Sequence, residues 1–172
     1  MASSLQVVFL LSLTSGLFIA GAISQAQQYK APAFPPGCPP HWTQFDDRCF
    51  NFFRMAKPWA EAQTYCIKLG GNLASIHSHK ENHFLSEFIE QVTGVPSLDT
   101  WIGASDAEQE KRWFWIDGTP FDYQFWSHGQ PDDYKNNEDC LQMNFAGSAW
   151  NDRPCFSSLP YVCVKDVQTS TH

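Results

Sequence analysis

Apolar positions along this chain follow three patterns in turn, and each pattern predicts a different kind of element. From Val7 to Ala22 the run is nearly unbroken, interrupted only by Ser12, Thr14 and Ser15. Small residues at Ala20-Gly21-Ala22 and Ser24-Gln25-Ala26 offer two cleavage points, so residues 1–26 are expected to form a secretory signal peptide. An uncleaved membrane anchor is the competing reading; the run is short for a span and no basic flank follows it. Helical periodicity comes next. Trp59, Ala62, Cys66 and Leu69 recur at steps of three and four, which predicts a helix opening at Lys57-Pro58-Trp59 and stopped by Gly70-Gly71. Pro58 suits its first turn, where a missing N–H costs nothing. Ser78 with Glu81 three residues on reads as a capping box for a second helix. Its apolar face would be Phe84, Leu85, Phe88, Ile89 and Val92, and Gly94 with Pro96 would stop it.

The remaining apolar runs are short and separated by turn residues, as strands are. His41 to Phe45 and Arg48 to Phe53 flank Asp46-Asp47 and predict a hairpin. Thr100 to Gly103, Trp113 to Ile116, Cys140 to Asn144, Ala149 to Asn151 and Tyr161 to Val164 supply the rest of a small sheet. Between Asp117 and Asp139 periodicity is lost. A loop of that length inside a compact domain is usually functional. The expected organisation is a proline-rich lead-in at 27–37, one domain over 38–165 and a polar tail at 166–172. No heptad, Gly-X-Y period or other stalk suggests an oligomer.

Composition narrows the function. With seven Trp and fourteen Phe in 172 residues, the chain can bury a sizeable core. Its formal net charge of −7, with no basic stripe, excludes the clustered Lys and Arg that nucleic-acid binding requires. All six cysteines follow the leader, an even number that in a secreted chain suggests disulfides. Spacing alone leaves their connectivity open, and the absence of a C-x₂-C pair weakens a zinc reading.

Much of the acidic excess falls in Gln130-Pro131-Asp132-Asp133-Tyr134-Lys135-Asn136-Asn137-Glu138-Asp139-Cys140. These eleven residues hold four carboxylates and three side-chain amides, and Asn151-Asp152 follow soon after. Calcium takes about six to eight oxygens from just these groups, so the stretch reads as a calcium loop.

Taken in register, Cys66, Trp101-Ile102-Gly103, Gln130-Pro131-Asp132, Glu138-Asp139-Cys140, Trp150-Asn151-Asp152, Cys155 and Cys163 resemble a C-type lectin domain. The resemblance runs from Cys38 to about Val164. It implies an α+β fold in which two helices flank a small mixed β-sheet, with a long calcium-binding loop region above. It also implies the bridges Cys38–Cys49, Cys66–Cys163 and Cys140–Cys155. In sugar-binding members one calcium is held at positions that here are Gln130, Asp132, Glu138, Asn151 and Asp152, around a cis Pro131. An auxiliary calcium would fall to Asp106, Glu110, Asp133 and Asp139, with Glu138 shared.

A Gln-Pro-Asp loop resembles the galactose-type members, where Glu-Pro-Asn marks the mannose type. An amide donates and a carboxylate only accepts, so exchanging them reverses the hydrogen-bond polarity offered to two sugar hydroxyls. Tyr134 stands where galactose binders place a ring against the apolar side of the sugar. Gln130, Asp132, Tyr134, Glu138 and Asn151 are thus the expected carbohydrate contacts, and glycans with terminal galactose the expected partners. The glycine-rich segment that often pins this ring is missing; only Lys135-Asn136-Asn137 lies between Tyr134 and Glu138.

Other constellations are weaker. His79 and His83 lie one helical turn apart, but H-E-x-x-H is absent, and with His77 they read as a polar helix face. Trp42, Trp101, Trp113, Trp115 and Trp150 are expected in the core, and Phe125 and Trp126 in loop packing. No nucleophile elbow, phosphate loop or dinucleotide fingerprint occurs, so the chain is not expected to be an enzyme. Single-domain members also resemble type II antifreeze proteins, which usually carry more disulfides and a Thr-rich face. Thr119 is the only Thr between Thr100 and Thr169. A protein-binding relative is a third expectation, and such relatives typically lose the calcium ligands kept here.

Overall fold

A computed structural model describes residues 37–168 of the chain. The expected signal peptide, residues 27–36 of the lead-in and residues 169–172 of the tail lie outside the described residues. Ten elements follow in order: β1 (Thr43–Phe45), β2 (Arg48–Lys57), α1 (Trp59–Lys68), β3 (Asn72–Leu73), α2 (His79–Thr93), β4 (Thr100–Ser105), β5 (Phe114–Trp115), β6 (Cys140–Phe145), β7 (Ala149–Arg153) and β8 (Leu159–Asp166). The strands form one mixed sheet in the order β1-β2-β8-β4-β6-β7, with β3 also paired to β8 and β5 to β4. Only the β4–β8 pair within it is parallel, through Trp101 and Tyr161.

β8 lies between β2 and β4, and its alternation explains the layering. Side chains two apart on a strand share a face. Tyr161 and Cys163 pack with Trp59, Ala62 and Cys66 of α1. Val162 and Val164 pack with Leu85, Phe88 and Ile89 of α2. β4 and β6 divide the same way: Trp101 and Cys140 face α1, while Ile102, Ala104, Leu141 and Met143 face α2. The α+β fold with two flanking helices is therefore as expected from the resemblance.

All three expected bridges are present, Cys38–Cys49, Cys66–Cys163 and Cys140–Cys155. Cys66–Cys163 fastens α1 to the central strand. Cys140–Cys155 joins the start of β6, where the acidic loop ends, to the segment after β7.

Several details differ from the sequence expectations. Pro58 is the N-cap of α1 rather than its first helical residue, because its extended ψ of 149° lies outside the helix. Gly70 closes α1 at φ +80°, with Gly71 N–H bonded to the Cys66 carbonyl and Gly70 N–H to that of Ile67, a Schellman arrangement. In α2, Ser78 Oγ accepts the Glu81 N–H as a cap should. The Glu81 carboxylate accepts from His77 N–H instead of Ser78 N–H and pairs with Arg48 at 3.3 Å. Val92 is 48% exposed and leaves the apolar face. Trp42 is half-buried at the edge of the α1 layer with the Lys165 ammonium 4.1 Å over its ring, whereas Trp101, Trp113, Trp115 and Trp150 are core as expected. At the far end the fold passes the expected boundaries. Gly37 bridges Gln168, and Val167 N–H reaches the Asp47 carbonyl.

Candidate calcium and carbohydrate site

The acidic loop is held by the molecule's buried aromatic layer. Trp150, fully buried, donates its indole N–H to Asn82 of α2 at 2.7 Å. Asn82 in turn donates to the Ser148 carbonyl, so α2 fixes both ends of the turn into β7. Ahead of the loop, Trp126 bridges Trp150 and stacks edge-on against Trp113, with ring centroids 4.9 Å apart. Phe125 lies against His79 and Tyr123, so both residues serve in packing as expected.

β7 then delivers Asn151 and Asp152, both buried, beside the loop. The Gln130–Pro131 peptide is cis, as the resemblance implied. Both Asp152 oxygens accept backbone N–H groups from the loop, Asp132 at 3.2 Å and Asp133 at 2.7 Å. Glu138 accepts from Tyr134 N–H at 3.2 Å, and Asp133 accepts from Glu138 N–H at 3.1 Å. The result brings carboxylate oxygens of Asp132, Glu138 and Asp152 within 4.8 Å of one another. The Gln130 side-chain oxygen is buried with no hydrogen-bond partner. Asn151 turns its amide nitrogen onto the Asp152 carbonyl, which leaves its oxygen as the remaining acceptor.

Electrostatics follow from this crowding. Burial, together with the Asp152 and Asp132 charges, raises the Glu138 pKa. Burial raises that of Asp152 as well, against the backbone bonds that lower it. Three close acids and an orphaned amide oxygen form an arrangement that a hard cation would satisfy, and the donor set is that of calcium.

The auxiliary set is only partly assembled. Asp106, Glu110 and Asp139 come within 4.8 Å of one another. Asp133 and Glu138, expected with them, are engaged with each other and with the first cluster, because the loop's turn at Asp133 points its carboxylate at Glu138 N–H. Asp106 is 3% exposed; one of its oxygens accepts Lys111 N–H at 2.8 Å and the other is orphaned. Burial, with Glu110 and Asp139 nearby, pushes its pKa up to about 6. A cleft of about 270 Å³ touches both clusters, lined by Glu110, Lys111, Pro131, Asp132, Asp133, Asn136 and Asp152.

Tyr134 stands 61% exposed on the loop, and the Lys135 ammonium lies 5.0 Å over its ring. His77 is not part of a free polar face, contrary to expectation. Its ring bonds Asp122 at 2.9 Å and Thr119 at 3.2 Å, tying the head of α2 to the long loop. His79 and His83 are exposed. Among the described residues, the metal-capable groups contain carboxylates and no histidine. No helix among them is long and apolar enough to cross a membrane. The Arg48–Glu81 pair and the His77–Asp122 contact, both at the start of α2, were missed in sequence.

The family model for the lectin C-type domain matches residues 55–165. The chain belongs to the C-type lectin domain family. It is 42% identical over 130 residues to the galactose-specific lectin nattectin of Thalassophryne nattereri, covering 76% of this chain and 81% of that protein. Against the type-2 ice-structuring protein of Osmerus mordax, identity is 41% over 129 residues, covering 74% and 71%. The solved structure of herring type II antifreeze protein superposes with a TM-score of 0.69 at 41% identity, covering 76% of this chain and all of that one. These relatives are lectins and ice-structuring proteins, and the family is non-catalytic.

Proposed function

We propose that this protein is a secreted, calcium-dependent lectin that binds terminal galactose or related sugars on glycans. The observation carrying the reading is the convergence of Asp132, Glu138 and Asp152 beside the orphaned Gln130 oxygen. Asp132, Glu138 and Asp152 would supply three negative charges, with the Gln130 and Asn151 oxygens completing the set. Held by these residues, a calcium ion would supply coordination positions for a pair of neighbouring sugar hydroxyls. Gln130 and Asn151 donate to those hydroxyls through their amide nitrogens, and Asp132 and Glu138 accept from them. Gln130 on one side of Pro131 and Asp132 on the other set the polarity that favours a pair including the axial 4-hydroxyl. Tyr134 lies under the apolar side of the ring. The second cluster, Asp106, Glu110 and Asp139, would hold an auxiliary calcium. Secretion fits the pairing of all six cysteines, which is stable in an oxidising compartment.

The test is chromatography on galactose-agarose and mannose-agarose in calcium, followed by EDTA. Retention on galactose with release by chelator supports the reading. Retention on mannose alone keeps the calcium site and removes the galactose selectivity, and galactose binding in excess EDTA removes the mechanism.

A second reading, ice binding through the same surface, is favoured by the identity to ice-structuring proteins. Passage through both columns combined with thermal hysteresis in calcium would replace the lectin reading with it.

A further inference from the structure

Asp133, Lys135 and Asn136 all adopt positive φ, at 43°, 64° and 52°. Asp and Asn enter the left-handed region readily because their short polar side chains bond locally, but a lysine gains nothing there from its backbone. Glycine would adopt the same conformation without a Cβ penalty. A strained lysine beside a binding loop therefore calls for a role of its side chain. Here that side chain arches back, and its ammonium lies 5.0 Å from the Tyr134 ring centroid. The Tyr134 N–H is already fixed to Glu138, and Asn136 N–H to the Asp133 carbonyl at 2.8 Å, so the backbone on both sides of the pair is held.

We infer that Lys135 is a positioning residue for sugar selectivity: its ammonium pins the Tyr134 ring by a cation–π contact, in place of a glycine-rich brace. The inference rests on the galactose reading of the site. One face of the ring is taken by the cation, and with 61% of the residue exposed the other remains for the apolar face of a sugar. An unpinned tyrosine would lose rotamer freedom each time a sugar packed on it. Pinning removes that loss before binding. It matters for galactose, whose apolar patch meets the ring, and not for a sugar held by the ion and its ligands alone. A cation–π contact at an exposed position changes affinity by about two- to fivefold.

The full secreted chain is compared with Lys135→Gly and Lys135→Arg in saturating calcium, by titration with methyl galactoside and methyl mannoside. Lys135→Gly is expected to lose about two- to fivefold in galactoside affinity, with mannoside affinity and the calcium midpoint unchanged. Its Tm should hold or rise, since glycine relieves the backbone, so the loss cannot be assigned to unfolding. Lys135→Arg, which keeps a cation over the ring, should restore the preference. Equal or tighter galactoside binding by Lys135→Gly, or an equal loss for both sugars, overturns the inference. Ring-current shifts of the Lys135 ε-methylene protons in the wild-type protein read the pin without any sugar. Upfield shifts with no galactoside preference in the wild type would sink the galactose reading and the selectivity role together, leaving the contact. Unshifted methylene protons would sink the pin itself while the column test still judges the galactose reading.

Discussion

Four backbone N–H bonds hold the first carboxylate cluster: Asp132 and Asp133 to Asp152, Tyr134 to Glu138, and Glu138 to Asp133. Asp106, at the centre of the second, receives one from Lys111 and keeps an orphaned oxygen, while Glu110 is exposed. Backbone bonds stabilise the charged form of a carboxylate and set its direction before any ion arrives. The first cluster is thus oriented by its backbone, although burial still raises the pKa of Glu138 and Asp152. In the second, burial and repulsion dominate, and Asp106 is poised to take a proton near pH 6. Both groups of three acids around one cleft therefore gain from either an ion or a proton, and they differ in how far the backbone fixes their oxygens beforehand.

The comparison breaks most visibly at Asp152, which bonds two loop amides. Asp152→Asn should weaken calcium binding by at least about 100-fold and abolish calcium-dependent sugar binding, since a ligand and its loop contacts are lost at once. Isothermal titration with calcium checks this. Asp106→Asn should leave sugar binding in saturating calcium within a few-fold, and comparable losses for the two variants would erase the distinction.

Metal-free stability should respond at both clusters, and most at Asp106 of the second. Asp106 has its pKa raised on folding from 3.8 to about 6, so the folded state holds the proton more tightly. Its contribution is present below pH 3.8 and is lost as pH rises to about 6; above that, ionised Asp106 costs roughly 3 kcal/mol. Glu138 and Asp152, also raised, act in the same direction. In EDTA, Asp106→Asn should therefore raise Tm at pH 7 by several degrees and have little effect at pH 4. Calcium should reverse the trend, raising Tm more at pH 7 than at pH 5, because ligands must be deprotonated to bind it. Thermal scans over pH 4–8, with and without calcium, measure both slopes.

Exchanging Gln130→Glu together with Asp132→Asn sharpens the comparison within the first cluster alone. The charge count is conserved, so calcium affinity should stay within about tenfold while sugar preference moves from galactose toward mannose. Competition by the two methyl glycosides on one column reads the change. Loss of calcium binding instead would mean that Gln130 and Asp132 serve the metal site only in their present order.

How much of this was legible in the sequence differs along the same division. The layers follow from periodicity: α1 and α2 carry stripes that a helix must bury, and the alternation of β8 assigns Tyr161 and Val162 to opposite faces. The family resemblance pointed to Gln130, Asp132, Glu138, Asn151 and Asp152, and the structure brings Asp132, Glu138 and Asp152 together from one loop and one adjoining strand. Elements set by tertiary contact were not legible. β3 is two residues long and exists because Gly71 lets the chain approach β8, where an added Cβ would meet the Val164 carbonyl oxygen at 2.1 Å. Glu81 carries the signature of a helix cap, yet its partner Arg48 lies on a distant strand. Asp133 is chemically equivalent to its neighbours in sequence, and only the loop's turn sends its carboxylate to Glu138 N–H rather than to Asp106.

The smallest effect is expected at Tyr134, and it separates what the ion's ligands do from what surrounds them. The Tyr134 hydrogen bond to Glu138 is made by the backbone N–H and survives substitution of the ring. Tyr134→Ala should leave the calcium midpoint unchanged. The loss in galactoside affinity should be about 0.5–1.5 kcal/mol, the range of an aromatic packing contact, and so at most about tenfold. Mannoside affinity should move less, because the metal ligands provide its contacts. If Tyr134→Ala shifted calcium and sugar together, the loop's four amide bonds would depend on the ring, and the first cluster would not be prepared by its backbone alone. With calcium unmoved and galactoside weakened, the metal cluster would supply attachment and the polarity that selects the sugar, and the exposed ring would add a smaller share of the preference.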